Sequence, residues 1–498
     1  MSLRRLALGT LLAAFPGRTA PGWALDLVTE GLAGHVLFGF NVENTEQLAA
    51  LTASLRAARP DVLIGIDEEG GDVTRLGHID GSPYPGNAAL GAIGDPALTG
   101  AIYRMIGEDL AAVGVNLNLA PSVDVNTVAD NPIIGTRSFG ADPAAVAAHS
   151  AAAVEGLQAA GVAACAKHFP GHGATGTDSH TELPTVEASL DLLRDRDLPP
   201  FVAAIAAGTR SIMTAHIRVP DLTGDMPATF SRSALVTLLR AELGFSGAII
   251  TDALEMQGAA RVAGGTAQGA VYALAAGADL LCIGAEVTHD LVEEIVTDIV
   301  AAVGDGRLSL ARLTDAAART AHLAAWATAA RGDGTATAAP AGALPAQRVA
   351  DDAVLVGTAA ARRAITIEGT LPPLAEALVV QLESASTIAE GPVPWGVYPH
   401  VTGSGPVSRM RVSAAQASAP ELLATAAGRP IVVAGRNLHR RPGATQLIEA
   451  LAASTPVVVV EMGWPSSWRP AGVAAFVTTY GASRANGRAA AEALGLVA

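Results

Sequence analysis

Short apolar runs alternate with helical patterns along most of the chain, and this alternation restricts the fold more than any other feature. The runs are His35–Phe40, Val62–Asp67, Val115–Leu119, Val162–His168, Ser211–His216, Ala248–Asp252 and Asp279–Ile283. Helical patterns at Glu46–Ala58, Ala97–Val113, Pro143–Ala159, Leu198–Ala207, Ser231–Glu242 and Ala267–Ala276 separate most of them. Strands that alternate with helices form a parallel sheet, because the helix is the crossover that parallel neighbours need. All seven runs lie beyond residue 30. An eighth candidate is Leu6–Phe15. It follows Arg4-Arg5 and leads into small residues, which is also the pattern of a secretory leader, even a twin-arginine one. Eight β/α units over about 310 residues is the size of a (β/α)8 TIM barrel. A cleaved leader would leave seven strands, an open barrel and a secreted protein. Leu6–Phe15 is therefore expected to be strand one of a cytoplasmic chain that keeps its sequence from Met1.

The barrel pattern ends with a helix near Leu310–Thr328. Residues Gly332 to Gln347 are mostly Ala, Gly, Thr and Pro, the composition of a linker. Beyond it, Ala377–Leu382, Pro430–Ala434, Pro456–Glu461 and Gly472–Thr479 read as strands, with helices at Ala419–Ala427, Ala444–Ala453 and Ser483–Leu494. The expected organisation is an α/β barrel over 1–331, a linker over 332–348 and a smaller, sandwich-like α/β domain over 349–498. Composition excludes several other classes. With 50% hydrophobic and 16% charged residues the chain is no disordered polymer. Mean hydropathy is +0.36, yet no apolar run reaches the roughly 18 residues of a spanning helix. A net charge of −15 argues against nucleic acid or an anionic membrane surface as partner. Cys165 and Cys282 are too few for a disulfide framework or a thiolate zinc site, and read as buried thiols of a reducing compartment.

One basic residue stands apart. Of 32 lysines and arginines, Lys167 is the one lysine. A codon bias towards arginine explains the rest but not the exception. Lys167 falls where chemistry gathers, at a strand end. Strand three ends at Asp67 in Ile-Asp-Glu-Glu-Gly-Gly, and strand four leads to Asp124. Strand five ends in Lys167-His168, strand six in His216, and strand seven in Asp252. Ionisable groups beside a barrel core are costly, and catalytic groups sit at the carboxyl ends of barrel strands. The loop after strand five reads Lys167-His-Phe-Pro-Gly-His-Gly-Ala-Thr-Gly-Thr-Asp178-Ser-His180. Its three glycines suggest mobility. Asp178 and His180 are two apart, so an extended backbone turns them to one side. A carboxylate beside an imidazole fixes its tautomer and favours its protonated form, which makes a tunable acid/base. Asp252 emerges from an apolar strand as a candidate nucleophile. Retaining glycosidases pair such a carboxylate with an acid across the substrate, and here a His–Asp dyad would replace the acid.

The runs Lys167-His-Phe-Pro-Gly-His-Gly, Asp178-Ser-His180 with Leu183-Pro184, Met213-Thr-Ala-His216 and Phe245-Ser-Gly-Ala-Ile-Ile-Thr-Asp252 together resemble family 3 glycoside hydrolases, and within them the bacterial β-N-acetylhexosaminidases. The resemblance covers about residues 6–325 and extends weakly to the second domain. It implies that Asp252 forms the glycosyl-enzyme and that His180, held by Asp178, is the general acid/base. It implies that Asp67, Arg137, Lys167 and His168 hold the sugar, with His216 also at the site. Arg137 lies in Gly135-Thr-Arg-Ser-Phe139, where Thr136 stands at a position that is frequently Asn. Asp72 stands where a basic residue is common, and Arg75 follows nearby as a substitute contact. No cofactor or metal is implied. The expected partner is a small N-acetylglucosaminide, such as a cell-wall muropeptide fragment. Phosphorolysis on the same site and a family 3 β-glucosidase are the alternatives. A metal-dependent amidohydrolase would need a His-x-His pair on strand one, and Leu6–Gly17 has no histidine. A non-catalytic sugar-binding barrel would not need Asp252 and His180.

Overall fold

In the computed structural model, residues 1–284, 287–331, 346–402 and 408–497 are described. The first unit holds strands β1 (Leu11–Ala13), β2 (Gly34–Leu37), β3 (Leu63–Ile66), β4 (Leu117–Asn118), β5 (Ala163–Phe169), β6 (Ser211–Thr214), β7 (Ala248–Thr251) and β8 (Leu281–Ile283). They form one parallel sheet in the order β7-β6-β5-β4-β3-β2-β1-β8. Leu11, Leu12 and Ala13 pair with Leu281, Cys282 and Ile283, and Ile250 bridges to Leu280, so the sheet closes on itself. This is the expected (β/α)8 barrel.

Alternation along each strand sorts its side chains. His35 of β2 faces outward, where its Nε2 reaches the Ala24 carbonyl (3.3 Å) of a surrounding helix. Burial pushes this imidazole down to about 4, so it is neutral. Gly34 and Val36 on either side of it then face the barrel axis. The helices Pro96–Ala112 and Pro143–Ala159 both open on Asp-Pro. Asp95 and Asp142 accept the N–H of Leu98 and Ala145, and proline supplies the first helical position. These two helices touch backbone to backbone. A Cβ on Gly156 would stand 2.3 Å from the Gly100 carbonyl oxygen.

The first strand differs from expectation in its bounds. Leu3–Leu8 is a helix, and only Leu11–Ala13 joins the sheet. Ser2 caps the helix by accepting the Arg5 N–H (3.2 Å), and the Arg4 guanidinium ties it to Glu30 and Glu293 at 2.8 and 2.7 Å. Among the described residues no helix is long and apolar enough to cross a membrane.

The second unit takes in Glu69–Gly94, Gly135–Arg137 and Gln347–Ala498. Its sheet has the order β11-β10-β12-β13-β14-β9. The strands are β9 (Thr366–Gly369), β10 (Leu378–Glu383), β11 (Ser408–Ser413), β12 (Ile431–Gly435), β13 (Val457–Glu461) and β14 (Ala475–Thr478). The four expected strands are β10, β12, β13 and β14. The two unforeseen ones are the sheet's edges, whose Thr-Ile-Glu-Gly and Ser-Arg-Met-Arg-Val-Ser lack an apolar run. Val458 and Val460 pack on one face while Val457 and Val459 pack on the other. A parallel sheet covered on both faces needs such continuous valine. Of the linker, 332–345 lie outside the described residues, and a helix occupies Ala346–Ala364. Asp72 ties the early segments in: its carboxylate accepts the Ala482 N–H (3.0 Å) and the Thr136 hydroxyl (2.9 Å).

Closure through β1 is directly testable. Deleting residues 1–13 would leave β2 and β8 with open edges. The shortened chain is expected to lose its cooperative thermal transition and aggregate. An unchanged circular dichroism spectrum and melting temperature would show that closure does not need β1.

Candidate active site

The inward-facing positions at the carboxyl ends of the strands hold the ionisable residues. Cys165 and Ser211 pair across β5 and β6, and Met213 and Ile250 across β6 and β7. The same alternation brings Asp67, Lys167 and Asp252 to the interior, each at the end of its strand. Lys167 is buried and its ammonium lies 2.7 Å from Asp67 Oδ1. The pair fixes the lysine's donors on a stem that would otherwise be flexible.

Asp124 is the floor of the site. Oδ2 accepts from His168 Nδ1 (2.7 Å) and the Ser122 hydroxyl (3.0 Å). Oδ1 accepts the backbone N–H of His172 (2.6 Å) and of His168 (3.3 Å). Burial pushes this carboxyl up, but the neighbouring His168 and His172 and these bonds bring it below the usual carboxylate value. An ionised Asp124 therefore orients the His168 ring.

Asp252 accepts the Ala253 N–H at 2.8 Å. Burial pushes its carboxyl up, and the charges of His216, His168 and His180 outweigh that, leaving it below the usual value. It is an ionised carboxylate in a half-buried place, as a nucleophile must be. His216 engages both ring nitrogens within the protein. Nδ1 meets the Thr229 hydroxyl (2.8 Å), and Nε2–H donates to the Ala253 carbonyl (3.0 Å). Burial holds it below its ordinary value. It thus braces the backbone beside Asp252.

The dyad is formed. His180 Nδ1 lies 2.6 Å from Asp178 Oδ1, which also accepts the His180 N–H at 2.9 Å. Burial pushes Asp178 up, but the bonds to His180 bring it net below its ordinary value. Nε2 is therefore the nitrogen that faces away from the carboxylate. Two of the loop's three glycines have a reason other than mobility. A Cβ on Gly173 would sit 1.9 Å from the Val125 carbonyl oxygen, and one on Gly171 2.7 Å from Asp197 Cβ. His172 ties the loop down, with Nδ1 2.7 Å from the Thr175 hydroxyl and Nε2 3.1 Å from that of Ser179. Burial pushes it down to about 4, so it is a neutral brace.

Arg137 and Arg75 lie in the second unit. Arg137 makes a two-pronged bond to Glu69, Nε at 2.9 Å and Nη2 at 2.7 Å. Arg75 donates to the carbonyls of Ala389 (2.8 Å) and Glu390 (3.2 Å). Glu69, Asp124's full role and the His172 brace were missed by sequence reasoning. Asp124 had a signal in its place at a strand end, and His172 in the Lys167–Gly173 run, but their partners had none. Among the described residues no group of three or more His, Cys, Asp or Glu side chains is placed to hold a metal ion.

Comparison with known proteins agrees with this arrangement. Residues 20–323 match the Glycosyl hydrolase family 3 N terminal domain. The chain is 37% identical over 312 residues to a beta-hexosaminidase of Xylella fastidiosa, covering 61% of this chain and 89% of that one. It is 39% identical over 263 residues to beta-hexosaminidase A of Pseudoalteromonas piscicida, covering 48% of this chain but only 44% of that longer protein. A family 3 beta-N-acetylglucosaminidase structure from a Paenibacillus species matches with a TM-score of 0.90 and 33% identity, over 100% of this chain and 97% of that one. The chain belongs to glycosyl hydrolase family 3 and is a glycoside hydrolase.

The His172 brace predicts coupling. His172→Phe keeps an aromatic ring at the position and removes two neutral hydrogen bonds of about 1 kcal/mol each. Turnover of a chromogenic glycoside should fall roughly tenfold or more. Ser179→Ala should fall less, and the double variant should fall less than the product of the two. Independent, multiplicative losses would refute the brace.

Proposed function

We propose that this family 3 hydrolase is a retaining β-N-acetylglucosaminidase that works through a covalent intermediate on Asp252. One observation carries the reading: an ionised carboxylate and a bonded His180–Asp178 dyad (2.6 Å) share one barrel. Asp252 attacks the anomeric carbon while His180 Nε2 delivers a proton to the departing oxygen. Asp178 stabilises the imidazolium and holds its tautomer. Water then attacks the glycosyl-enzyme, with His180 taking the proton back. Lys167, Asp67 and His168, oriented by their buried partners, hold the sugar hydroxyls. The chain's beta-hexosaminidase and beta-N-acetylglucosaminidase relatives support N-acetylglucosamine as the sugar, and small muropeptide fragments are the proposed natural glycosides.

A second reading draws on the dyad's chemistry. An imidazole-based acid/base repels an incoming anion less than a carboxylate does, so phosphate can compete with water for the glycosyl-enzyme. Formation of N-acetylglucosamine 1-phosphate in phosphate buffer would support it.

A chromogenic N-acetylglucosaminide is expected to be hydrolysed in preference to the glucoside, with the β-anomer released first. Asp252→Ala should stay folded and lose on the order of 10⁴-fold or more in kcat. Inversion at the anomeric carbon, or a near-normal Asp252→Ala enzyme, would sink the proposal.

General acid help matters most for poor leaving groups, where it is worth roughly 10²–10⁴-fold. His180→Ala should lose about that much on a disaccharide and far less on a nitrophenyl glycoside in single-turnover glycosylation. Equal losses would argue for a positioning role instead.

The lowered Asp252 carboxyl sets the acid side of the pH profile. A depressed value keeps the nucleophile ionised further into acid. The limb of kcat/KM that reports it should lie below 3.8, the ordinary value. A limb near 5 or above, measured with a good leaving group, would contradict the electrostatics described.

A further inference from the structure

The loop after β2 carries two phenylalanines that the proposed mechanism does not use. Their rings are stacked, with centroids 5.5 Å apart and planes within 15° of parallel. Phe40 is 42% exposed and Phe38 is partly buried.

Register locates the pair. Leu37 of β2 pairs with Ile66 of β3. One step further along, Phe38 stands beside Asp67. Phe38 keeps an extended backbone, φ −115° and ψ 174°, so the alternation continues through it. His35 faces outward, and Phe38 is three residues on, so it faces the barrel axis as Val36 does. It shares the inward layer of Asp67, Lys167 and Asp252. The loop is also pinned. Asn41 Nδ2 donates to the carbonyls of Phe15 (3.0 Å) and Gly17 (2.6 Å), and its Oδ1 accepts the Phe38 N–H (2.9 Å). Such a loop has little order left to lose on binding.

Strand order decides which part of a substrate the rings meet. In a closed ring of eight strands β3 stands across from β7, and β2 is next to β3. Asp252, after β7, marks the anomeric carbon. Phe38 stands on the far wall, beside the body of the sugar that keeps that carbon, and Phe40 is stacked on it. A pyranose has a rim of hydroxyls and apolar C–H faces. Asp67 and Lys167 suit the rim, and an aromatic pair suits a face.

We propose that Phe38 and Phe40 form an aromatic platform for the C–H face of the glycone ring, the sugar whose bond is cleaved. The proposal rests on the glycosidase reading of the same site.

Phe40→Ala changes an exposed side chain, and circular dichroism and melting temperature should match the wild type. kcat/KM should fall roughly three- to tenfold, the worth of one aromatic contact. The loss should sit in KM and be equal for the methyl glycoside, the nitrophenyl glycoside and the β-1,4-linked disaccharide of N-acetylglucosamine. Inhibition by free N-acetylglucosamine should weaken by the same factor, and Phe40→Tyr should recover it. A loss confined to the disaccharide would put the leaving group on the platform and overturn the assignment. No loss, or a loss in kcat alone, would overturn it too. If the wild type cleaves glucosides but none of these substrates, the functional reading falls and the platform is judged by the same ratios on the glucosides. Inactivity on both series, with no binding of either free sugar, would overturn both.

Discussion

Parallel register in a closed sheet obliges every second side chain of every strand to face one axis. The protein's chemistry depends on that obligation. Asp67, Lys167 and Asp252 are far apart in sequence, at positions 67, 167 and 252. They share a layer because each sits at an inward step at the carboxyl end of its strand. Slipping any strand by one residue would turn its charged group outward into the helices. Closure through Leu11–Ala13, which pairs with both β2 and β8, protects the register.

Crowding charges in this layer is expensive, and the structure answers each charge with a partner. Lys167 meets Asp67, and Asp124 meets His168 and two backbone N–H groups. Buried pairs of this kind add little net stability, because desolvation offsets attraction. They contribute preorganisation instead, since donors that are already oriented need not reorganise as charge develops. The histidines divide by the same rule. Burial pushes His172 down to about 4 and holds His216 below its ordinary value, and both act as braces. His180, at the half-buried end of its loop beside Asp178, is the one the proposed proton transfer uses.

Legibility differed between the two units. Seven barrel strands and the four central strands of the second sheet are visible as Val- and Ile-rich runs, because strands covered on both faces must be apolar throughout. Edge strands β9 and β11 are not, since an edge tolerates polar residues. The helix Leu3–Leu8 was hidden because its apolar residues read equally well as a strand. The loop glycines were visible, but their reason was not. Gly173 is glycine because Val125 presses on it, a contact across 48 residues (173 − 125).

The sequence by itself determined the barrel, the strand-end residues, the His–Asp spacing and the family resemblance. All of these are local patterns, or local patterns repeated. Tertiary structure alone decided the partners. Glu69 for Arg137, Asp124 for His168, Thr229 for His216 and Ser179 for His172 each join residues that no spacing rule connects. It alone also decided that Glu69–Gly94 and Gly135–Arg137, early in the chain, belong with Gln347–Ala498. The physical reason is that periodicity encodes which face of an element is buried. What that face meets is set by register, closure and the crossing of distant segments, and these appear only when the chain is folded.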